Sequence, residues 1–119
     1  MSTKTLSKTA PEVIREAASL IAEKGFGTMK GDTTAHRLGL FGVSITGAVT
    51  WAVHGAPCRQ RDLVGMESEW VAEVLDQLAE ELRMEPTVYE RKHCNALPQL
   101  VCSDLRLAAW NLERKLGMK

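Results

Sequence analysis

The chain has 119 residues, 45% of them hydrophobic and 25% charged, a composition typical of one globular domain. Its fifteen basic and fifteen acidic residues give no net charge, which excludes a global field that would draw it to nucleic acid or an anionic membrane. The chain has three cysteines without a C-x-x-C pair, and it shows neither a leader-like start nor a long apolar run. We therefore expect a cytoplasmic protein with free thiols.

The first predicted helix covers about residues 10–24 and follows a flexible basic tail at 1–8. Thr9 and Glu12 have the spacing of a capping box, and Gly25 can end the helix in a left-handed conformation. Its inward stripe is predicted to consist of Ile14, Ala17, Ala18 and Ile21. Residues 27–43 are rich in glycine, and we expect a packed loop there.

A second, shorter helix is predicted at about residues 44–54. Ser44 can cap its start, and Gly55 can stop it before Pro57. The many β-branched residues of this segment would also suit a strand, so β structure stays open for 38–53, as it does for 86–93.

The clearest amphipathic pattern predicts a long central helix at about residues 63–84, closed by Pro86. Its apolar face is predicted to contain Met66, Trp70, Val71, Val74, Leu75, Leu78 and Leu82. Its acidic face contains Glu69, Glu73, Asp76 and Glu80. A long connection from Thr87 to Gln99 should then lead into a last helix at about 100–116. These elements predict an all-α fold for residues 9–119: a single-domain irregular bundle of about four helices.

The zero net charge conceals three blocks of charge. Residues 1–61 carry eight bases and four acids (+4), residues 62–90 one base and nine acids (−8), and residues 91–119 six bases and two acids (+4). We therefore expect the basic segments to pack beside the acidic central helix and to neutralise part of it. Only the acids left uncovered remain candidates for contact with a partner.

Sequence patterns for metal or catalytic chemistry are weak. His54 and Cys58 are four residues apart and His93 precedes Cys94, so a zinc site is formally possible. The intervening Gly-Ala-Pro makes the first pair irregular, and adjacent ligands such as His93 and Cys94 are uncommon in zinc sites. The chain has no G-x-S-x-G motif, and the Gly-x-Gly of Gly25 and Gly27 follows a predicted helix, whereas phosphate binding would need it to precede one. We predict no metal, no cofactor and no enzymatic activity.

One group of residues resembles a DNA-binding unit. The chain has a helix ending in Gly25 and Phe26, then a threonine-capped segment, and then a Gly-Val-Ser turn before a short helix. This order of elements resembles the helix-turn-helix of tetracycline-repressor-type regulators. The resemblance implies phosphate contacts by Lys30 and Arg37. It further implies that the residues approaching base edges are Ser44, Ile45, Thr46 and Thr50.

A second resemblance spans almost the whole chain. Phe26 follows the first helix stop, Gly47 and Ala48 lie in the second helix, and the last helix is preceded by Asn95-x-x-Pro98. These features are similar to a family of small proteins of actinobacteria and their phages, defined only as a domain of unknown function. The resemblance implies a compact helical accessory protein, often phage-encoded, that binds a host protein.

The leading functional prediction is a non-enzymatic protein that acts through protein–protein contact, with a helix-turn-helix regulator as the alternative. The residues predicted to contact a protein partner are Glu69, Glu73, Asp76, Glu80, Trp51 and Trp110. The acidic residues would steer a basic partner, and an exposed tryptophan would anchor it. A homodimer is also open.

Overall fold

The computed structural model describes residues 9–26, 43–56, 62–93, 97–115 and 117. Its helices are α1 (Ala10–Lys24), α2 (Ile45–His54), α3 (Gly65–Leu82), α4 (Pro86–Lys92) and α5 (Pro98–Lys115). Within these ranges the only β-type contact is an isolated bridge between Phe26 and Val43. The all-α prediction is therefore confirmed, with five helices in place of about four. The predicted basic tail and most of the predicted loop at 27–43 lie outside the described residues.

Helix α1 begins and ends where its capping signals predicted. The Glu12 amide donates to the Thr9 hydroxyl at 3.4 Å, and the Thr9 amide donates to the Glu12 carboxylate at 2.9 Å. At the other end, Gly25 has φ 90° and its amide donates to the Ile21 carbonyl at 2.8 Å. These local bonds satisfy backbone groups that a helix end would otherwise leave unpaired, which explains why sequence located this helix well.

The core is built around α1, which makes its most extensive contacts with α5 and α2. Fully buried side chains from four helices meet there, among them Ile14, Ile21, Ile45, Val49, Leu78 and Leu105. At the edge of this core the Arg15 guanidinium donates to both carboxylate oxygens of Glu113, which joins α1 to α5. The paired geometry fixes the position of the two helices against each other more specifically than a single point charge would.

Helix α2 confirms the helical alternative for residues 44–54. The Ser44 hydroxyl accepts a bond from the Gly47 amide at 3.0 Å, and Gly55 has φ 93° at the other end. Eight of its ten residues are buried. A short segment that is covered on all sides can be helical despite its β-branched content, because burial outweighs a propensity difference of about 0.5 kcal/mol per residue.

The prediction of one long connection from Thr87 to Gln99 was wrong. Residues Pro86–Lys92 form α4, with proline in its first turn, and α5 begins at Pro98. A seven-residue helix is too short to display a reliable period, and it is stabilised by tertiary contacts that buried Tyr89 and Glu90 make with other helices.

The central helix α3 is slightly shorter than predicted, and one inward residue was misassigned. Val71, Val74, Leu75 and Leu78 are buried, and Trp70 and Leu82 are half-buried against the core. Met66, however, is 67% exposed. At about 100° per residue, Met66 is turned about 130° from the centre of the four buried positions, so it lies at the side of α3 and not on its core face. None of the described helices is long and apolar enough to cross a membrane.

Candidate functional site

Helix α5 carries a second apolar face that points away from the core. Leu100, Leu107 and Trp110 are 49%, 57% and 50% exposed, and we name these three residues the outward stripe. Their spacing of seven and three residues puts them on one side of the helix. Leu105 and Leu112, on the opposite side, are buried in the core. Helix α5 is therefore apolar on two faces, of which the fold uses one.

Polar residues frame the outward stripe without covering it. Exposed Ser103 lies within the stripe, between Leu100 and Leu107. The Arg114 guanidinium lies over the Trp110 ring, 4.8 Å from its centroid, which is a cation–π geometry. The arginine restrains the indole while leaving half of the residue accessible. Tryptophan and arginine are the residues most often found as anchors in protein interfaces.

A cleft of about 300 Å³ adjoins the outward stripe where α3 ends, between α4 and α5. We name it the Tyr89–Asp104 cleft. Its apolar walls include Leu82, Met84 and Leu107, and its polar groups include Tyr89, His93 and Asp104. Because Leu107 belongs both to the stripe and to the cleft, the two features form one continuous surface.

The polar groups of the cleft are held by bonds between α4 and α5. The Tyr89 hydroxyl donates to Oδ2 of Asp104, and the His93 ring stacks on Tyr89 with centroids 4.0 Å apart. Nδ1 of His93 lies 3.0 Å from the Tyr89 carbonyl oxygen. Burial, followed by the hydrogen bond to Asp104, raises the pKa of Tyr89 well above its usual value. Tyr89 is therefore a neutral hydrogen-bond donor near neutral pH.

A second buried acid, Glu90, serves the fold. Its Oε2 accepts bonds from the backbone amides of Ile45 at 2.7 Å and Thr46 at 3.2 Å, at the start of α2. Burial raises the pKa of Glu90, and the two amide bonds act in the opposite direction. The carboxylate from α4 thus satisfies amides that α2 leaves unpaired at its first turn. Sequence inspection did not single out this residue.

The acidic face of α3 lies where it was predicted. Glu69, Glu73, Asp76 and Glu80 are all exposed. No residue in the described ranges forms an ion pair with them. Among the neighbouring helices, α5 pairs Lys115 with Glu81 of α3, and His54 Nδ1 of α2 lies 3.0 Å from Glu67. Part of the negative charge of α3 is thus neutralised by α5, while the four predicted acids stay exposed.

The two tryptophans predicted as anchors differ in position. Trp51 is half-buried against the core, with Lys24 Nζ 5.4 Å from its ring centroid. Trp110 stands out on α5 and is the better exposed of the two. Of this pair, only Trp110 belongs to an apolar surface on the outside of the molecule.

The histidines and cysteines are dispersed. His54 contacts Glu67, His93 lines the cleft, and Cys58 and Cys94 lie outside the described residues. Cys102 is buried, and its thiol donates to the Ala18 carbonyl at 3.1 Å. In the part of the chain that is described, no three His, Cys, Asp or Glu side chains gather closely enough to hold a metal ion.

The residues expected to read DNA bases are enclosed by the fold. Ser44, Thr46 and Thr50 are all buried, and the Thr50 hydroxyl donates to the Thr46 carbonyl at 2.7 Å. In this arrangement their hydroxyls have no surface to present to base edges, because they belong to the core and caps of α2. Lys30 and Arg37, the expected phosphate contacts, lie outside the described residues.

Comparison of the chain with protein families, with curated proteins and with solved structures finds no match. The two resemblances drawn from the sequence therefore remain expectations.

Proposed function

We propose that this protein is non-enzymatic and acts by binding another protein through the outward stripe of α5. The observation that carries the proposal is the half-exposed Trp110 aligned with Leu100 and Leu107 on the side of the helix that the fold does not use. Grouped apolar side chains on a polar-rimmed surface lose contact with water when a partner covers them, which favours binding.

The neighbours of Trp110 support its role as an anchor. The Arg114 guanidinium already restrains the indole, so that a partner would lose less conformational freedom on binding it. Ser103 is small and exposed within the stripe, and it leaves space for a side chain of the partner to approach the helix. The polar groups of the adjoining cleft are bonded to each other or to the backbone, as a structural cluster would be.

The acidic face of α3 supports a basic partner. Its four uncovered carboxylates, Glu69, Glu73, Asp76 and Glu80, would accelerate encounter with a positively charged surface. Since such charges act mainly on the association rate, we assign the binding energy to the outward stripe and the steering to α3. The resemblance to accessory proteins of actinobacteria and their phages makes a bacterial host protein the first class of partner to test.

The test is affinity capture from actinobacterial lysate, with and without nuclease treatment, by three forms of the full chain. Wild type should retain a specific protein, and the variant carrying Leu107→Ala and Trp110→Ala should lose it. The matched control carries Val64→Ala and Met66→Ala, which remove two exposed apolar side chains from the start of α3. It should retain the partner.

Equal capture by the wild type and by the Leu107→Ala, Trp110→Ala variant would overturn the proposal. Capture that disappears on nuclease treatment would instead support the helix-turn-helix alternative. That alternative further requires duplex binding that weakens steeply with salt and with loss of Lys30 and Arg37.

A further inference from the structure

We propose that the Tyr89–Asp104 cleft receives an arginine side chain of the partner that covers the outward stripe. The inference rests on the proposed function, because it names the group that the partner inserts beside Leu107. It is argued from the charge, the aromatic surface and the walls of the cleft.

The charge of the cleft favours a cation. The carboxylates of Asp104 and Glu81 line it, and no lysine or arginine is among its described lining residues. Lys115 pairs with Glu81 from outside the cleft, so among the described residues Asp104 is the lining acid without a basic partner. Tyr89 occupies one oxygen of Asp104 as a donor, which leaves Oδ1 to accept a bond from an incoming guanidinium.

The aromatic pair favours a planar cation. Tyr89 and His93 stack at an interplanar angle of 19°, and His93 is the more exposed ring of the two. A guanidinium can lie against such a ring while its edge bonds to Asp104, whereas the ammonium of lysine cannot stack in this way.

The walls of the cleft suit the rest of an arginine side chain. Leu82, Met84 and Leu107 supply apolar surface from α3, the following turn and α5. The three methylene groups of arginine can pack against this surface while the charged end reaches Asp104. An acidic or wholly apolar side chain would match only part of the cleft.

The experiment titrates N-acetyl-arginine methylamide into the isolated full chain at about pH 8, where an ordinary histidine is neutral. The matched probe is N-acetyl-citrulline methylamide, which has nearly the same shape without the charge. Nuclear magnetic resonance follows the backbone and side-chain signals of Tyr89, His93, Asp104 and Leu107. The arginine probe should bind about fivefold more tightly than the citrulline probe, as expected for one partly exposed charge pair.

Asp104→Asn provides the decisive variant, because its amide oxygen can still accept the Tyr89 hydroxyl while the charge is removed. It should reduce binding of the arginine probe to the level of the citrulline probe. Glu23→Gln removes one negative charge from an exposed position of α1, away from the cleft lining and the acidic face of α3, and should leave the affinity unchanged. Equal affinities for the two probes, no binding of either, or an equal loss in both variants would overturn the inference.

This result is separable from the proposed function. Probe binding needs no partner, so arginine selectivity without capture of any protein would refute the proposed function and retain the cleft. Capture that depends on the outward stripe, without arginine selectivity, would support the proposed function and refute the cleft as an arginine site.

Discussion

Helix α2 and the outward side of α5 are both rich in apolar residues, but the fold treats them in opposite ways. Helix α2 is enclosed, with eight of its ten residues buried and its first turn bonded to Glu90 of α4. Helix α5 buries one apolar face and leaves Leu100, Leu107 and Trp110 in contact with water. Apolar content alone therefore does not separate residues that stabilise the fold from residues available to a partner.

The difference has an energetic meaning. Side chains buried in α2 and on the inner face of α5 contribute to the free energy of folding. The outward stripe contributes less to it, because about half of the surface of its side chains stays exposed after folding. Variants should thus divide into those that change stability and those that change binding.

Two leucines of helix α5 should differ most strongly in what they contribute to the free energy of unfolding. Leu105 is fully buried and Leu107 is 57% exposed. We expect Leu105→Ala to lower the free energy of unfolding by about 2–5 kcal/mol, because it leaves a cavity in the core. Leu107→Ala should change it by no more than about 0.5 kcal/mol. Urea denaturation of both variants measures the contrast, and similar losses would show that the stripe is part of the core.

Removal of the carboxylate that holds the start of α2 should have the next largest effect. Glu90→Ala leaves the amides of Ile45 and Thr46 without an acceptor in a buried position. We expect a loss of about 1–3 kcal/mol in the free energy of unfolding. Glu73→Ala, at an exposed site on α3, is the matched control and should change stability little. An equally small effect at Glu90 would mean that α2 does not depend on α4.

The raised pKa of Glu90 predicts that the free energy of unfolding depends on pH. Burial raises the pKa of Glu90 in the folded state above its ordinary value of 4.5. Between the pKa of Glu90 in the unfolded chain and its higher pKa in the folded protein, the folded protein keeps a proton that the unfolded chain has released. The contribution of Glu90 to the free energy of unfolding therefore falls as the pH rises from the lower pKa to the higher one. Glu90→Gln keeps an acceptor but does not titrate. The free energy of unfolding of wild type, relative to this variant, should decrease as the pH rises above about 4.5. A constant difference would contradict the raised pKa.

A smaller effect is expected at the local cap of α2. The Ser44 hydroxyl accepts from the Gly47 amide, and Ser44→Ala removes this bond. We expect a loss of about 1 kcal/mol in the free energy of unfolding, the usual cost of deleting a helix cap. Ser103→Ala, at an exposed position inside α5, serves as the comparison and should be near neutral. A large loss at Ser103 would indicate that the outward face of α5 is packed in solution.

Sequence could predict the features of this fold that depend on neighbouring residues. The capping box of Thr9 and Glu12 located α1, and the period of α3 identified both its core face and its four exposed acids. Met66 was misassigned because its spacing of four residues from the half-buried Trp70 places it beside the core face of α3 and not on it. Helix α4 was missed because its seven residues are too few to establish a period.

The features that sequence did not predict depend on distant contacts. Glu90 is bonded to residues 44 and 45 positions away, so no local signal marks it as buried. The cleft combines Tyr89 and Asp104 from two helices, which only the packing brings together. The outward stripe did have a signal, since Leu100, Leu107 and Trp110 have helical spacing opposite the inner stripe of Leu105 and Leu112. Recognising it required knowing which of the two faces the fold would bury.

Site-specific photo-cross-linking in bacterial cells can show whether a partner covers the outward stripe. A photoreactive amino acid replaces Ser103, within the outward stripe, or Ser19, an exposed residue of α1. A partner that covers the stripe should give a discrete cross-linked protein from position 103 and none from position 19. A product containing only two copies of this chain would identify a homodimer as the occupant. Equal products from both positions, or none from position 103, would contradict the assignment of the outward stripe as the binding surface.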